Sequence, residues 1–271
     1  MNIRIKFGKY GVMKFIGHLD MMRYFQKAIR RAGIDIAYSG GYSPHQIMSF
    51  AAPLGVGITS SGEYFDISVN STRSSRASID ALNSAMAEGV TILEYKKLPD
   101  TAKTSMSLVA AADYHVSMKP EYGTFFSSQE ELQRKVEEFF IGQPQILITK
   151  QAKKSQMELD LKQFIYGMEA VGLEHGAYAL FLRLCTGSSN NIKPELVLET
   201  FCQFCGLTYQ PFQFQTHRLE VYAKSDEIPV KGEKEQQAYR DYLSRLKGSY
   251  KKQGKEFPEF LPLGALGEDI P

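Results

Sequence analysis

The chain has 271 residues, with 32 lysines and arginines against 30 aspartates and glutamates, 43% hydrophobic and 12% aromatic residues. That composition excludes disorder along the whole chain, since disordered chains are poor in aromatics and high in net charge. The length fits two modest domains or one large one, and no run of about 18 apolar residues is present to span a membrane as a helix.

Elements follow in chain order. Ile3, Ile5 and Phe7 alternate with Arg4 and Lys6, which predicts a half-buried strand. A helix is expected over residues 19–32, with Met22, Phe25, Ile29 and Ala32 on its buried face and Gly33 closing it. Residues 34–38 read as a second strand, followed by a long Gly/Ser/Pro-rich loop over 39–62. Strands over 63–69 and 90–95 flank a helix over 78–88 closed by Gly89. The order is β-α-β-β-α-β, the split βαβ or ferredoxin-like pattern.

The pattern returns after an expected linker at 102–112. Residues 113–118 read as a strand and 129–141 as a helix closed by Gly142. Strand-like segments at 145–149 and 157–161 flank a lysine-rich turn, and 162–176 reads as an insertion. A strand over 178–185, a helix over 193–205 and a strand over 217–223 complete the set. The expected fold is α+β, with tandem ferredoxin-like domains and antiparallel sheets. The N-terminal domain covers 1–101, the C-terminal domain 113–223, and a helical and irregular basic tail 224–271.

Charge is distributed unevenly. Residues 1–62 hold eight basic residues against two acidic ones, Asp20 and Asp35. On the first expected helix Arg23, Lys27, Arg30 and Arg31 share one face, opposite the apolar one. Like charges at this spacing repel by a few tenths of a kcal/mol per pair (about 0.2–0.5), and an anionic partner would relieve that repulsion. A solvated helix face is the plainer reading of the same stripe. Lys150, Lys153 and Lys154 form a second basic group at a turn. In the tail, Arg240, Arg245, Lys247, Lys251, Lys252 and Lys255 are interleaved with Tyr239, Tyr242 and Tyr250, which can stack on bases or lie on a soluble helix.

The 39–62 loop is longer than an ordinary strand connection, and long ordered loops tend to carry function. Gly40, Gly41 and Ser43 offer backbone and hydroxyl donors to an anion. No Walker A or dinucleotide-binding motif is present. His18 begins the basic helix and His45 lies in the loop. Each is a candidate acid or base in RNA cleavage, or a phosphate donor, and each is also an ordinary capping or packing residue. Cys202 and Cys205 form a Cys-x-x-Cys pair inside an expected helix. With no second pair to complete four zinc ligands, they read as buried structural thiols. The odd cysteine count, and an N-terminus without a continuous apolar stretch, point to a cytoplasmic protein.

Several ordered motifs resemble a known family. They are Phe15-Ile-Gly-His-Leu-Asp-Met-Met-Arg23, Arg30 to Ser39, Gly41-Tyr-Ser-Pro-His45, Ser49-Phe-Ala-Ala-Pro-Leu-Gly-Val-Gly57 and Gly62-Glu-Tyr-Phe-Asp66. Together they resemble the radical-SAM-linked family, a domain of unknown function often fused to, or encoded beside, a radical SAM protein. Asp160-Leu-Lys-Gln-Phe-Ile165 resembles a later motif of that family, with Lys162 where Arg is usual. Gly17 stands where Ser is usual, and Gln46-Ile-Met48 replaces a common Pro-Lys-Ile. The resemblance marks Asp20, Pro44, Ser49, Glu63, Asp66 and Asp160 as family-motif positions and implies a stand-alone member with a radical SAM protein as partner. The expected function is that of an accessory protein, without a cofactor of its own, binding an anionic substrate such as RNA through the basic helix and Gly-rich loop. An RNA-processing or RNA-modifying enzyme using His18 or His45, and a protein adaptor, are the alternatives. Neither membrane binding nor DNA sequence readout is expected.

Overall fold

The computed structural model describes all residues except 153–154, 188–189, 228 and 253–255, and only the backbone of 150–152, 155–157, 246, 249 and 252. The protein is α+β, with largely antiparallel strand pairing. Two compact units form: Met1–Ala111 together with Glu220–Pro271, and Ala112–Leu219. In chain order the regular elements are β1 (Asn2–Lys9), α1 (His18–Arg31), β2 (Met48–Phe50), β3 (Thr59–Ser68), α2 (Ser75–Ser84), β4 (Val90–Leu98) and α3 (Ser105–Leu108). Next come β5 (Val109–Met118), α4 (Gln129–Val136), β6 (Leu147–Ala152), β7 (Ser155–Asp160), β8 (Ile165–Gly172), β9 (Tyr178–Cys185) and α5 (Pro194–Phe204). The last are β10 (Phe214–Lys224), α6 (Glu233–Lys252), β11 (Phe260–Pro262) and β12 (Glu268–Asp269).

In the first unit β1 lies between β3 and β4 and is antiparallel to both, while β2 pairs with β3 and β12 with β4. Strand alternation sends Ile3, Ile5 and Phe7 to one face, where Phe65 and Ile67 join them. Met21, Phe25 and Ile29 of α1 and Leu82 of α2 pack on that face. At its centre Phe7, Phe25, Phe50 and Phe65 meet with ring centroids 4.6–6.1 Å apart, mostly edge-on or tilted, as the ring quadrupole favours. Helix α1 ends where Gly33 takes φ +65°. The Gly33 and Ile34 N–H groups then donate to the Arg30 and Ile29 carbonyls, a left-handed cap that a side chain would strain.

The opposite face of the same strands is charged. Arg4 Nε and Nη2 donate to the two carboxylate oxygens of Asp66 at 2.8 and 3.1 Å. Asp66 also accepts from the Ser105 backbone N–H at 2.6 Å, and Arg4 Nη1 donates to the Leu263 carbonyl at 3.2 Å. Nearby, Lys6 Nζ donates to Glu220 at 2.6 Å and lies 3.8 Å from Glu94. One fork therefore joins β1, β3, α3 and the segment after β11.

Several expectations are revised. Residues 34–38 form only isolated bridges, Ile36 to Val69 and Tyr38 to Gln46, and the strand beside β3 is β2 instead. The 102–112 linker is not exposed: Ser105, Leu108, Val109 and Ala111 are buried, because α3 seals the Asp66 carboxylate. The 224–271 tail is not detached, as β11 pairs with the end of β10 and β12 extends the sheet at β4.

In the second unit the lateral order is β10-β5-β9-β8. The expected insertion at 162–176 contains β8, a strand of this sheet. A register shift between Ile165 and Gly167 sets the buried Ile165 and Met168 three residues apart, so the alternation that announces a strand is broken by a bulge. The segments expected as sheet strands at 145–149 and 157–161 form a separate two-stranded hairpin, β6–β7. Asp113 of β5 accepts two hydrogen bonds from Arg183 of β9 at 2.7 and 2.8 Å.

Because Arg4 is 2% exposed, removing its partner strands a buried charge. Asp66→Ala is expected to lower the unfolding free energy by about 3–5 kcal/mol, measured by urea denaturation. The double variant Arg4→Met/Asp66→Leu should recover much of that loss; a single-variant loss below about 1 kcal/mol would contradict the assignment.

Candidate functional site

The exposed face of α1 carries Arg23, Lys27, Arg30 and Arg31. Arg23 pairs with Asp20 at 3.2 Å, one turn away and with both side chains mostly in solvent, so the pair contributes little. Arg31 donates to the Ala85 carbonyl at 2.9 Å, which draws it toward the end of α2.

The loop after α1 is folded back against this helix. Its tip is closed by the Tyr38–Gln46 bridge and by Ser39, whose Oγ accepts from the His45 backbone N–H at 3.1 Å and meets His45 Nδ1 at 2.8 Å. Gly40, Gly41, Ser43, Pro44 and His45 are exposed there. Gly41 has φ +96°, a left-handed turn open to glycine. Gln46 Nε2 donates to the Gln26 carbonyl at 3.2 Å. Gln26 follows Arg23 by three residues and precedes Arg30 by four, so this bond sets the tip beside the cationic row.

At the start of α1 the structure assembles a second feature. Lys9, His18 and Glu63 line one small pocket with Phe7, Met21, Phe50, Ala52 and Leu54. Its volume is about 20 Å³, room for one water-sized group. Lys9 ends the helix-facing row Ile3-Ile5-Phe7, and Glu63 begins the facing row that continues through Phe65 and Ile67. Lys9 is 2% and Glu63 4% exposed, and Lys9 Nζ donates to the Ile16 carbonyl at 2.6 Å. His18 stands edge-on to Phe50 at 5.3 Å. Burial holds the His18 imidazole below its ordinary pKa; the Glu63 carboxylate opposes that shift and the Lys9 ammonium adds to it. A neutral imidazole between a carboxylate and an ammonium can take up or release a proton at the pocket mouth.

The candidate residues thus separate into groups. His18 and Glu63 come together, and Lys9 joins them. Along the chain Lys9 is one of the eight basic residues of 1–62, and a lysine closing an apolar strand row is the signal that marks it. His45 makes its described contacts within the loop tip instead. Asp20 is a surface partner of Arg23, and Asp66 belongs to the Arg4 fork with Ser49 opposite it in the β2–β3 register. Asp160 caps a turn, accepting from the Ile146 and Lys162 N–H groups at 3.0 and 3.1 Å. Lys153 and Lys154 lie outside the described residues, as does the Lys150 side chain. Cys202 is buried in α5 and Cys205 caps it; burial pushes both thiols up to about 11, so neither is a ready thiolate at neutral pH.

The depressed His18 pKa has a defined sign. Between the folded value and the ordinary 6.5, the unfolded chain binds more protons, so His18 contributes stability above 6.5 that is lost as pH falls through the folded value. An NMR titration should place the His18 midpoint below 6.5. Glu63→Gln should lower it further by removing the charge that raises it. A midpoint at or above the ordinary value, or an upward move in Glu63→Gln, would contradict this arrangement.

No curated protein matches the chain. Among solved structures, a chain in a crystal structure of a Cbf5-Nop10-Gar1 complex is similar at 11% identity and a TM-score of 0.42. The match covers 96% of this protein and 60% of that chain, a likeness too slight to carry a functional inference. Residues 2–194 match the sequence profile of DUF2344, described as an uncharacterized protein conserved in bacteria, and with more than half of its length inside that profile the protein belongs to this family.

Proposed function

We propose that the protein is an accessory module of a radical SAM enzyme, holding an anionic substrate, RNA, on α1 and the Gly-rich loop that follows it. The observation that carries the reading is the row of exposed cations on α1 with the Gly-rich tip fixed beside it by the Gln46–Gln26 bond. Among the described residues, only Arg23 of that row has an acidic partner within ion-pair distance. A polyanion would relieve the mutual repulsion of the row, and counterion release would drive its binding. The radical SAM partner rests on the motif resemblance around His18, His45 and Asp66.

We also read each unit as ferredoxin-like. The lateral orders β4-β1-β3-β2 and β10-β5-β9-β8 support this. Each sets the fourth strand of a β-α-β-β-α-β series beside its first, and the third between the first and second.

A second reading is favoured by the Lys9–His18–Glu63 pocket: an RNA-processing or RNA-modifying enzyme with His18 as acid or base. His45 in the loop tip would serve such an enzyme by contacting phosphate. Incubating RNA with the protein and with His18→Ala and His45→Ala separates the two readings, because an accessory module gives the same RNA in all three.

Filter binding of RNA across a salt series tests the leading reading. Affinity should fall steeply with salt, and Arg23→Glu/Arg30→Glu should weaken binding about tenfold or more and reduce the salt slope by roughly one per lost phosphate contact. Salt-insensitive or unchanged binding would refute it. Co-purification with a radical SAM partner that survives ribonuclease but not the charge reversal would assign the face to protein docking instead.

A further inference from the structure

Another cavity of the first unit lies away from α1. It is a cleft of about 520 Å³ between α6, β4 and the turn before β12, within the range of roughly 300–1,000 Å³ typical of small-ligand sites. Leu98, Pro99, Val230 and Leu266 give it an apolar lining. Gly267 completes one wall. A Cβ there would come within 2.9 Å of Lys96 Cβ and 3.1 Å of the Lys97 carbonyl, so the turn presses onto β4 only because no side chain intervenes.

The polar groups of the cleft are few and of definite kinds. Tyr239 and Tyr242, one helical turn apart on α6, have ring centroids 6.0 Å apart. Tyr242 is 42% exposed and offers a ring face at the mouth. The Tyr239 hydroxyl is buried without a hydrogen-bond partner among the described residues, so Tyr239 lines the cleft with its ring and not with its oxygen. Burial pushes that hydroxyl up to about 12, so it remains an O–H donor at neutral pH. Lys97 and Arg245 supply cations at the rim, and Glu235 and Glu268 supply carboxylates.

We infer that this cleft binds a nucleoside phosphate, with the base on Tyr239 and Tyr242 and the phosphate on Lys97 and Arg245. Aromatic stacking accepts the planar base. The carboxylates accept from the amino and imino N–H groups of the base edge, for which guanine offers the most donors to one carboxylate. The two cations meet the phosphate charge. A hydrocarbon ligand would make no use of the four charged groups. This site uses none of the α1 residues and stands or falls apart from the RNA reading of that helix.

Isothermal titration of the full chain with GMP, AMP, CMP and ribose 5-phosphate tests it. GMP and AMP should bind, CMP more weakly, and ribose 5-phosphate least. Tyr242→Ala, at an exposed position, should weaken GMP binding about tenfold or more. Lys97→Ala/Arg245→Ala should weaken GMP while leaving free guanosine unaffected. Arg23→Glu/Arg30→Glu should leave mononucleotide binding unchanged. A short oligoribonucleotide that outcompetes GMP would identify an RNA nucleotide as the source; failure to compete would identify a free nucleotide. No nucleotide binding, ribose 5-phosphate binding as tightly as GMP, or affinity indifferent to Tyr242→Ala and Lys97→Ala/Arg245→Ala would each overturn the inference.

Discussion

The Arg4–Asp66 fork is the constraint on which the first unit depends. A buried guanidinium and carboxylate are tolerated only when their remaining hydrogen-bonding capacity is used. Here the Ser105 N–H and the Leu263 carbonyl complete the shell, which forces α3 and the C-terminal segment over one face of the sheet. That face is then charged and covered, and the other is apolar and takes α1 and α2. The second unit repeats the device with the signs exchanged. Its first strand supplies the acid, Asp113, and β9 supplies the base, Arg183.

With both faces of the sheet fixed, the positions of the functional groups follow. The two-residue period of β1 and β3 carries their helix-facing rows to Lys9 and Glu63 at the same end of the sheet. The first turn of α1 delivers His18 to that end. The apolar face of α1 is spent on Phe7 and Phe65, so its cations can only point outward. The loop joins them because Gln46 finds a carbonyl on the helix. The α6 cleft has a different origin, in the return of the C-terminal segment to the β4 edge and the glycine that lets it approach.

Much of this was legible along the chain. The apolar spacing of α1 and its closing Gly33, the alternation of β1 and β3, and the helices α2 and α5 all follow from local backbone geometry, which fixes the residues that share a face. They leave periods of 3.6 and 2 in the sequence. Strand β8 was not legible, because its bulge breaks the period. Nor was the β6–β7 hairpin distinguishable from sheet strands, since pairing partners leave no mark on a short strand's own pattern. The segment 102–112 looked like a linker because its burial comes from Asp66, 39 residues before Ser105.

For the candidate sites the division is similar. The chain alone carries the cationic stripe on α1, the Gly-rich segment beside it, the family motifs, and the interleaving of tyrosine with basic residues near the C-terminus. Each is a matter of residue type and local spacing. The folded chain brings Lys9, His18 and Glu63 into one pocket and leaves His45 outside it. It alone turned Asp66 into a buried structural anchor, fixed the loop on Gln26, and set Tyr239 and Tyr242 over a cleft walled by β4. These groupings depend on long-range strand pairing and on hydrogen bonds between residues tens to hundreds of positions apart, and such partners leave no period in the sequence to read.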